Sequence, residues 1–251
     1  MEHWYHYILL IGVGFVVGFV NTVAGGGSLL TLPVLIFLGL PSSVANGTNR
    51  VAIVIQTALA TAGFKSKGVS TFPFNVYLGI SALIGAIIGA YIAVDIRGAT
   101  FNRILAIIMV IVVLVILFKP KINLVEFQER ITGKYLWLGI LAFFFFGIYG
   151  GFINAGIGFI IILFLHYVNR LSLVQANATK VVVVFIYTLS ALSVFVLNDK
   201  VNWKVGLILA IGNGLGAWLA SRVSVKRGDG FIKYFMIIMV IAMSVKLWFF
   251  S

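Results

Sequence analysis

Asn21-Thr22-Val23-Ala24-Gly25-Gly26-Gly27-Ser28 interrupts sequence that is apolar on both sides, and a weaker interruption, Asn154-Ala155-Gly156-Ile157-Gly158, recurs in the second half of the 251-residue chain. Consecutive glycines cost helix stability and leave backbone amides open. Within an apolar run those amides need partners, unless the backbone lines a cavity. A glycine-rich break that opens a short helix presents N–H groups at the positive end of the helix dipole, a cradle suited to an anion. The other reading of such glycines is the close approach of two backbones.

Working outward, the apolar segments run over 8–23, 27–40, 51–64, 74–94, 101–118, 135–153, 155–168, 177–197, 203–221 and 231–250. The second and seventh, which follow the two interruptions, reach only about 21 Å at 1.5 Å per residue. The hydrocarbon core is about 30 Å thick, so these two read as half-helices or broken helices. Hydrophobic residues make up 62% of the chain and charged residues 10%, with a mean hydropathy of +1.15. A soluble domain needs more charge than that to cover its surface. The fold class is therefore an all-α integral membrane protein. A β-barrel would alternate in segments of about ten residues, and nothing here does.

The net charge of +12 comes from 18 Lys and Arg spread over many short connections. No basic stripe runs through polar sequence, which argues against nucleic acid. The first residues, Met1 to Tyr7, lack the positive stretch of a cleavable leader. The first span is expected to stay in the mature chain, with Trp4, Tyr5 and Tyr7 at the interface.

The chain reads as a tandem duplication about a polar linker, 119–134, with a first transmembrane repeat over 1–118 and a second over 135–251. Gly18-Phe19-Val20-Asn21 matches Gly151-Phe152-Ile153-Asn154, and Ala45-Asn46-Gly47-Thr48 matches Ala176-Asn177-Ala178-Thr179. Gly79, Gly85 and Gly89 match Gly206, Gly212 and Gly216 at one offset. If all ten segments cross, one side holds Lys65, Lys67, Lys119, Lys121, Arg130, Lys134, Arg170, Lys180, Arg222, Lys226, Arg227 and Lys233. The other holds Arg50, Arg97, Arg103, Lys200, Lys204 and Lys246. Eight crossings would even this bias out. The positive-inside rule thus favours two inverted repeats of about five segments each, the second segment of each short or broken, and both termini outside. Inverted repeats with broken segments at matching places are a transporter pattern, with the site where the breaks meet.

Candidate site residues follow from those breaks. Asn21, Thr22, Gly25, Gly26 and Asn154 lie in them. Asn46, Thr48 and Arg50, echoed by Asn177, Thr179 and Lys180, open the helices that follow, where Asn, Thr and a cation can replace the hydration shell of an oxyanion. Helix capping with an outward-snorkelling cation is the plainer reading of each motif. Gln56 lies further along the first of those helices. The Gly-x-x-x-Gly pairs at 14 and 18, 85 and 89, 147 and 151, and 212 and 216 read as packing faces, and Phe143 to Phe146 as lipid-facing. All six carboxylates, Glu2, Asp95, Glu126, Glu129, Asp199 and Asp229, fall at segment ends or in connections. No deep acid is available for a proton or sodium relay. With no cysteine and no metal-ligand spacing or hydrolase motif, neither an enzyme, a metal nor a cofactor is expected.

The run Asn21 to Pro33, followed by Leu38-Gly-Leu-Pro-Ser-Ser-Val-Ala-Asn-Gly-Thr-Asn-Arg50, resembles the TauE/SafE family of sulfite-exporter-like permeases. The second copy around Asn154 and Ala176-Asn177-Ala178-Thr179 fits the same family, less the triple glycine, so an asymmetric site is expected. The resemblance implies a multi-pass protein of the cell (inner) membrane that moves sulfite or related sulfur-containing anions, such as organosulfonates. Export by alternating access is the expected direction. The expected partners are that small anion and the lipid bilayer, with a homo-oligomer as a further possibility. A membrane-embedded assembly subunit without transport activity is the alternative. It accounts for the packing glycines but not for the duplicated polar clusters.

Overall fold

The computed structural model describes residues 5–117 and 128–250; Trp4 and most of the polar linker lie outside them. The described elements are α1 (Tyr5–Val23), α2 (Ser28–Phe37), α3 (Ser42–Lys65), α4 (Phe74–Asp95), α5 (Gly98–Leu117), α6 (Gly133–Phe152), α7 (Ile157–Tyr167), α8 (Leu173–Leu197) and α9 (Trp203–Phe250). Gly228, at φ 70° and ψ −170°, leaves helical geometry inside α9. That element is two helices end to end, and they match the last two apolar segments of the sequence.

Helices α2 and α7 have 10 and 11 residues, about 15–17 Å of rise, or half a bilayer core. Among the described residues α4, α6, α8 and the stretch Trp203–Met236 are long and apolar enough to cross a membrane. The helix α3 has the length, at 24 residues, but carries Asn46, Thr48, Asn49, Arg50, Gln56 and Thr57, all buried. Its polar face is turned into protein, which is where a bilayer forces such groups to go.

Large apolar side chains point outward and small ones inward. On α4, Tyr77, Ile80, Ile84, Ile88 and Ile92 are exposed while Ala82, Gly85, Ala86, Gly89 and Ala90 are buried. Burying Ile gains nothing where lipid is as apolar as the core; close backbone approach does. The Gly-x-x-x-Gly faces meet in two pairs. Gly85 and Gly89 of α4 sit on the carbonyls of Phe144 and Ile148 of α6, whose Gly147 and Gly151 sit on Ala82 and Ala86 in return. Gly14 and Gly18 of α1 meet Leu209 and Asn213 of α9, whose Gly212 and Gly216 meet Ile11 and Phe15. The four phenylalanines at 143–146 divide by helical rotation: Phe145 faces outward, but Phe143 is fully buried against Phe164 of α7. The expectation that all four face lipid is corrected, since consecutive helical residues point in different directions.

Packing is exchanged between the halves. The helix α1 lies on α9 and α6 on α4; α3 packs on α9 and α8 on α4; α2 and α7 each lean on the helix that follows. At the centre α3 and α8 touch directly. Arg50 near the start of α3 stacks on Phe195 near the end of α8, while Phe64 near the end of α3 clusters with Ala178 and Val181 near the start of α8. These two central helices therefore run antiparallel.

Candidate functional site

The site begins with two helices that stop in mid-molecule. At the first break Gly25 takes φ 94°, in the left-handed region that glycine enters without penalty. The second break uses Asn154 at φ 55° and Gly156 at φ 74°. Asparagine is the side chain that best tolerates that region, which is why the second copy works without a triple glycine. The two breaks touch: the space a Cβ on Gly25 would need is held by the backbone of Gly158, and the reverse holds for Gly158.

Each broken helix leaves its last carbonyls without intrahelical partners. Those of α1 are met from the other half. Lys180 Nζ donates to the carbonyls of Asn21 and Thr22, both at 2.9 Å, and Asn177 Nδ2 to that of Val23 at 2.9 Å. Those of α6 are met in the same register. Arg50 Nη1 donates to Gly150 O at 3.1 Å, Nη2 to Gly151 O, and Asn46 Nδ2 to Phe152 O at 2.8 Å. In both cases the cation takes the antepenultimate and penultimate carbonyls and the asparagine takes the last. A cation at a helix C-terminus is stabilised by the dipole. Arg50 and Lys180 are 0% and 3% exposed, and their hydrogen-bond partners are uncharged oxygens.

The opposite helix ends, the N-termini of α2 and α7, carry no side-chain cap. Between the breaks lies a cavity of about 10 Å³, lined by Asn21, Gly25, Gln56, Thr57, Asn154, Gly158 and Lys180 among others. That volume admits about one water. Two conjugate hydrogen bonds fix its walls. Asn21 Nδ2 donates to Gln56 Oε1 at 3.2 Å, and Tyr187 OH donates to Asn154 Oδ1. Gln56 and Tyr187 stand ten residues beyond Asn46 and Asn177, so they are counterparts. Asn21 Oδ1 also accepts from Gly27 N across its own break at 3.2 Å, and Asn154 Nδ2 reaches Ser28 Oγ at 3.3 Å.

Comparison with known proteins agrees with this architecture. The family model described as Sulfite exporter TauE/SafE matches residues 10–247. The chain belongs to the TauE/SafE family. Among its relatives is a Haemophilus influenzae protein described as "Probable membrane transporter protein", 30% identical over 95% of this chain and 93% of its own length. Escherichia coli YfcA, also described as a "Probable membrane transporter protein", is 29% identical over 95% of this chain and 90% of its own. Bacillus subtilis YunE, described likewise, is 22% identical over 96% and 97%. No solved structure matches. The chain is accordingly a multi-pass membrane transporter of the TauE/SafE family.

In this TauE/SafE transporter the residues singled out in the sequence separate into three groups. Asn21, Gly25, Gln56, Asn154 and Lys180 line the central cavity. Thr22, through its carbonyl, joins Asn46, Arg50 and Asn177 in holding the helix ends, and Gly26 O accepts from Leu29 N at the start of α2. Thr48 and Thr179 face away from the breaks. Thr48 Oγ1 accepts from Asn202 N at 2.9 Å in the loop before α9, and the Thr179 and Thr71 hydroxyls meet at 2.7 Å in the loop before α4. Gly158, part of the second interruption, also lines the cavity, while Thr57 and Tyr187 belong to the site and were not singled out. For Tyr187 a signal existed, its fixed distance from Asn177 that mirrors Gln56 from Asn46.

Proposed function

We propose that this TauE/SafE transporter moves small sulfur-containing anions, sulfite or organosulfonates, out of the cell by alternating access of two inverted repeats, residues 1–118 and 135–251, joined by the linker 119–134. The observation that carries the reading is the pair of buried cations, Arg50 and Lys180, each held on a broken helix end with only uncharged oxygens as partners, Lys180 at the wall of the cavity between the breaks. Buried charge is ordinarily paired. Two of the described carboxylates work elsewhere: Asp229 caps the first amides of α8 and Glu129 accepts from Gln175. The negative ends of α1 and α6 offset the two cations in part. The positive ends of α2 and α7 remain turned toward the space between the breaks, so the missing charge in this site is that of an anion.

Lys180 spends all three of its donors on Asn21 O, Thr22 O and Asn177 Oδ1. It therefore supplies field, and the opening amides of α2 and α7 that the turn bonds of Leu29, Leu30 and Phe159 leave over, those of Ser28, Ile157 and Gly158, supply hydrogen bonds. The cavity is too small for a polyatomic anion, so this is an occluded arrangement that widens on loading. Two features support the inverted repeat: the antiparallel run of α3 against α8, and the exchange of partners in which α1 takes α9 while α6 takes α4. A negative-inside potential drives a monoanion outward by about 2.3 kcal/mol per 100 mV, roughly a 50-fold gradient, without a coupling ion.

The test is sulfite efflux from proteoliposomes of purified protein, with and without an imposed potential, comparing wild type with Lys180→Met. Potential-driven flux that the variant loses supports the reading. If neither sulfite nor any organosulfonate moves under either gradient, the reading is wrong.

A further inference from the structure

A second space lies one helical turn from the central cavity. Thr57 of α3 lines the cavity, and Thr61, one turn on, lines a vestibule of about 510 Å³. On α8, Val181 faces the cavity while Ala178 and Val182 face the vestibule. The volume is in the range of small-molecule sites, about 300–1,000 Å³. The loop 66–73 and the start of α4 form its far wall. The walls are mostly apolar, with Phe64, Val69 and Val76, and the polar groups converge from three elements: Thr61 and Lys65 from α3, Ser70 from the loop and Asn75 from α4.

Two of those polar groups lack partners. The Thr61 hydroxyl is buried without a hydrogen bond, a donor left for an acceptor; Asn75, 4% exposed, leaves its Oδ1 unbonded as well, and its Nδ2 is the atom that can donate to an anion. A buried polar group with no partner costs free energy, about 1–3 kcal/mol. The counterpart of this vestibule in the other half is filled. Gly47 stands where Ala178 stands in the second copy, and it is pressed on the carbonyl of Lys200 and the ring of Phe195 with no room for a side chain. One half has a space beside the α3–α8 seam that the other half has closed.

We propose that the vestibule is a loading site on the Lys65 side, the inner side by charge, in which an organosulfur anion rests with its sulfonate on Lys65, the Thr61 hydroxyl and Asn75 Nδ2 and its apolar part against Phe64 and Val182, before the α3–α8 seam parts to admit it. This rests on the anion-permease reading. The substrate then binds twice on its way out, first to an amphipathic site that accepts its organic portion and then to the helix N-termini at the breaks. Inorganic sulfite uses only the polar half of the first site, so an organosulfonate is held there more tightly.

The absence of native cysteine makes the test direct. Thr61→Cys introduces one thiol, probed in proteoliposomes by a membrane-impermeant maleimide added to either face. Methanesulfonate, which does not react with maleimides, is the anion, and uncharged dimethyl sulfone is its control. The expected result is labelling from one face only, slowed by methanesulfonate and not by the sulfone. Adding Asn75→Ala should raise the half-protecting concentration about tenfold, the loss of one hydrogen bond to a charged group. If labelling is unaffected by methanesulfonate while the same vesicles carry potential-driven sulfite flux, the loading site is overturned and the permease stands. No labelling from either face also overturns it. If protection and flux are both absent, both readings fall together.

Discussion

Gly25 and Gly158 occupy each other's side-chain space: the backbone of each lies where a Cβ on the other would be built. The contact joins the two helix breaks at the wall of the central cavity, and neither half can change its break without moving the other. Gly25→Ala meets two penalties, the left-handed φ of 94° and the collision. Together they come to about 3 kcal/mol, which lowers Tm in detergent by about 6–12 °C. Gly158→Ala meets the collision alone and should lose about half as much. Gly12→Ala, at a position with open space around it, should leave Tm within about 2 °C. Equal Tm for all three variants would mean that the breaks do not touch.

The capped helix ends give a charge prediction. Lys180→Met keeps the length of the side chain but removes the cation that holds the carbonyls of Asn21 and Thr22. Sulfite flux should fall by at least about tenfold, since one buried charge at low dielectric is worth more than about 1.4 kcal/mol to an anion nearby. Lys180→Arg keeps the charge and should recover most of the flux, imitating Arg50 at the other end. A Met variant that transports like wild type would remove the cation from the mechanism.

Sequence pattern alone was enough for the segments and the breaks, because a bilayer demands apolar runs of fixed length and punishes an unpartnered glycine stretch. The duplication made Asn46 and Asn177, Arg50 and Lys180 conspicuous as pairs. It did not say which way each side chain turns. Thr48 and Asn46 sit two residues apart on α3, roughly 200° around the helix, so one caps α6 and the other reaches a loop. Tyr187 stayed hidden for another reason: a tyrosine in an apolar helix looks like an interfacial residue, and only the packing against Gly150 and Asn154 gives it a role.

That loop attachment separates rate from affinity. Thr48→Val and Thr179→Val remove the hydroxyls that hold Asn202 N and Thr71 without touching the cavity. Each should cost about 1 kcal/mol of stability. In flux assays the maximal rate should change while the half-saturating sulfite concentration stays within about twofold, as expected for groups outside the site. A tenfold rise in the half-saturating concentration for either variant would return that threonine to the substrate.

The conjugate bonds Asn21 to Gln56 and Tyr187 to Asn154 predict an asymmetry in how the halves fail. Tyr187→Phe leaves Asn154 Oδ1 without the donor that it has now. A buried acceptor stripped of its partner costs about 1–3 kcal/mol, and here the loss falls on a residue already at φ 55°. The second break should loosen, with a Tm loss of about 2–12 °C and a lower maximal rate. Gln56→Ala strips two donors, Asn21 Nδ2 and Asn213 Nδ2, although Asn21 keeps its Oδ1 bond to Gly27 N across the first break. Its loss in Tm should be at least that of Tyr187→Phe. The double variant reports on the centre itself. Gln56 and Asn21, Tyr187 and Asn154 all bear on one cavity or its walls, so their losses should not add, departing from the sum by about 0.5 kcal/mol or more. Strict additivity in a double-mutant cycle on Tm would mean that the two breaks work as separate sites and not as the two walls of one.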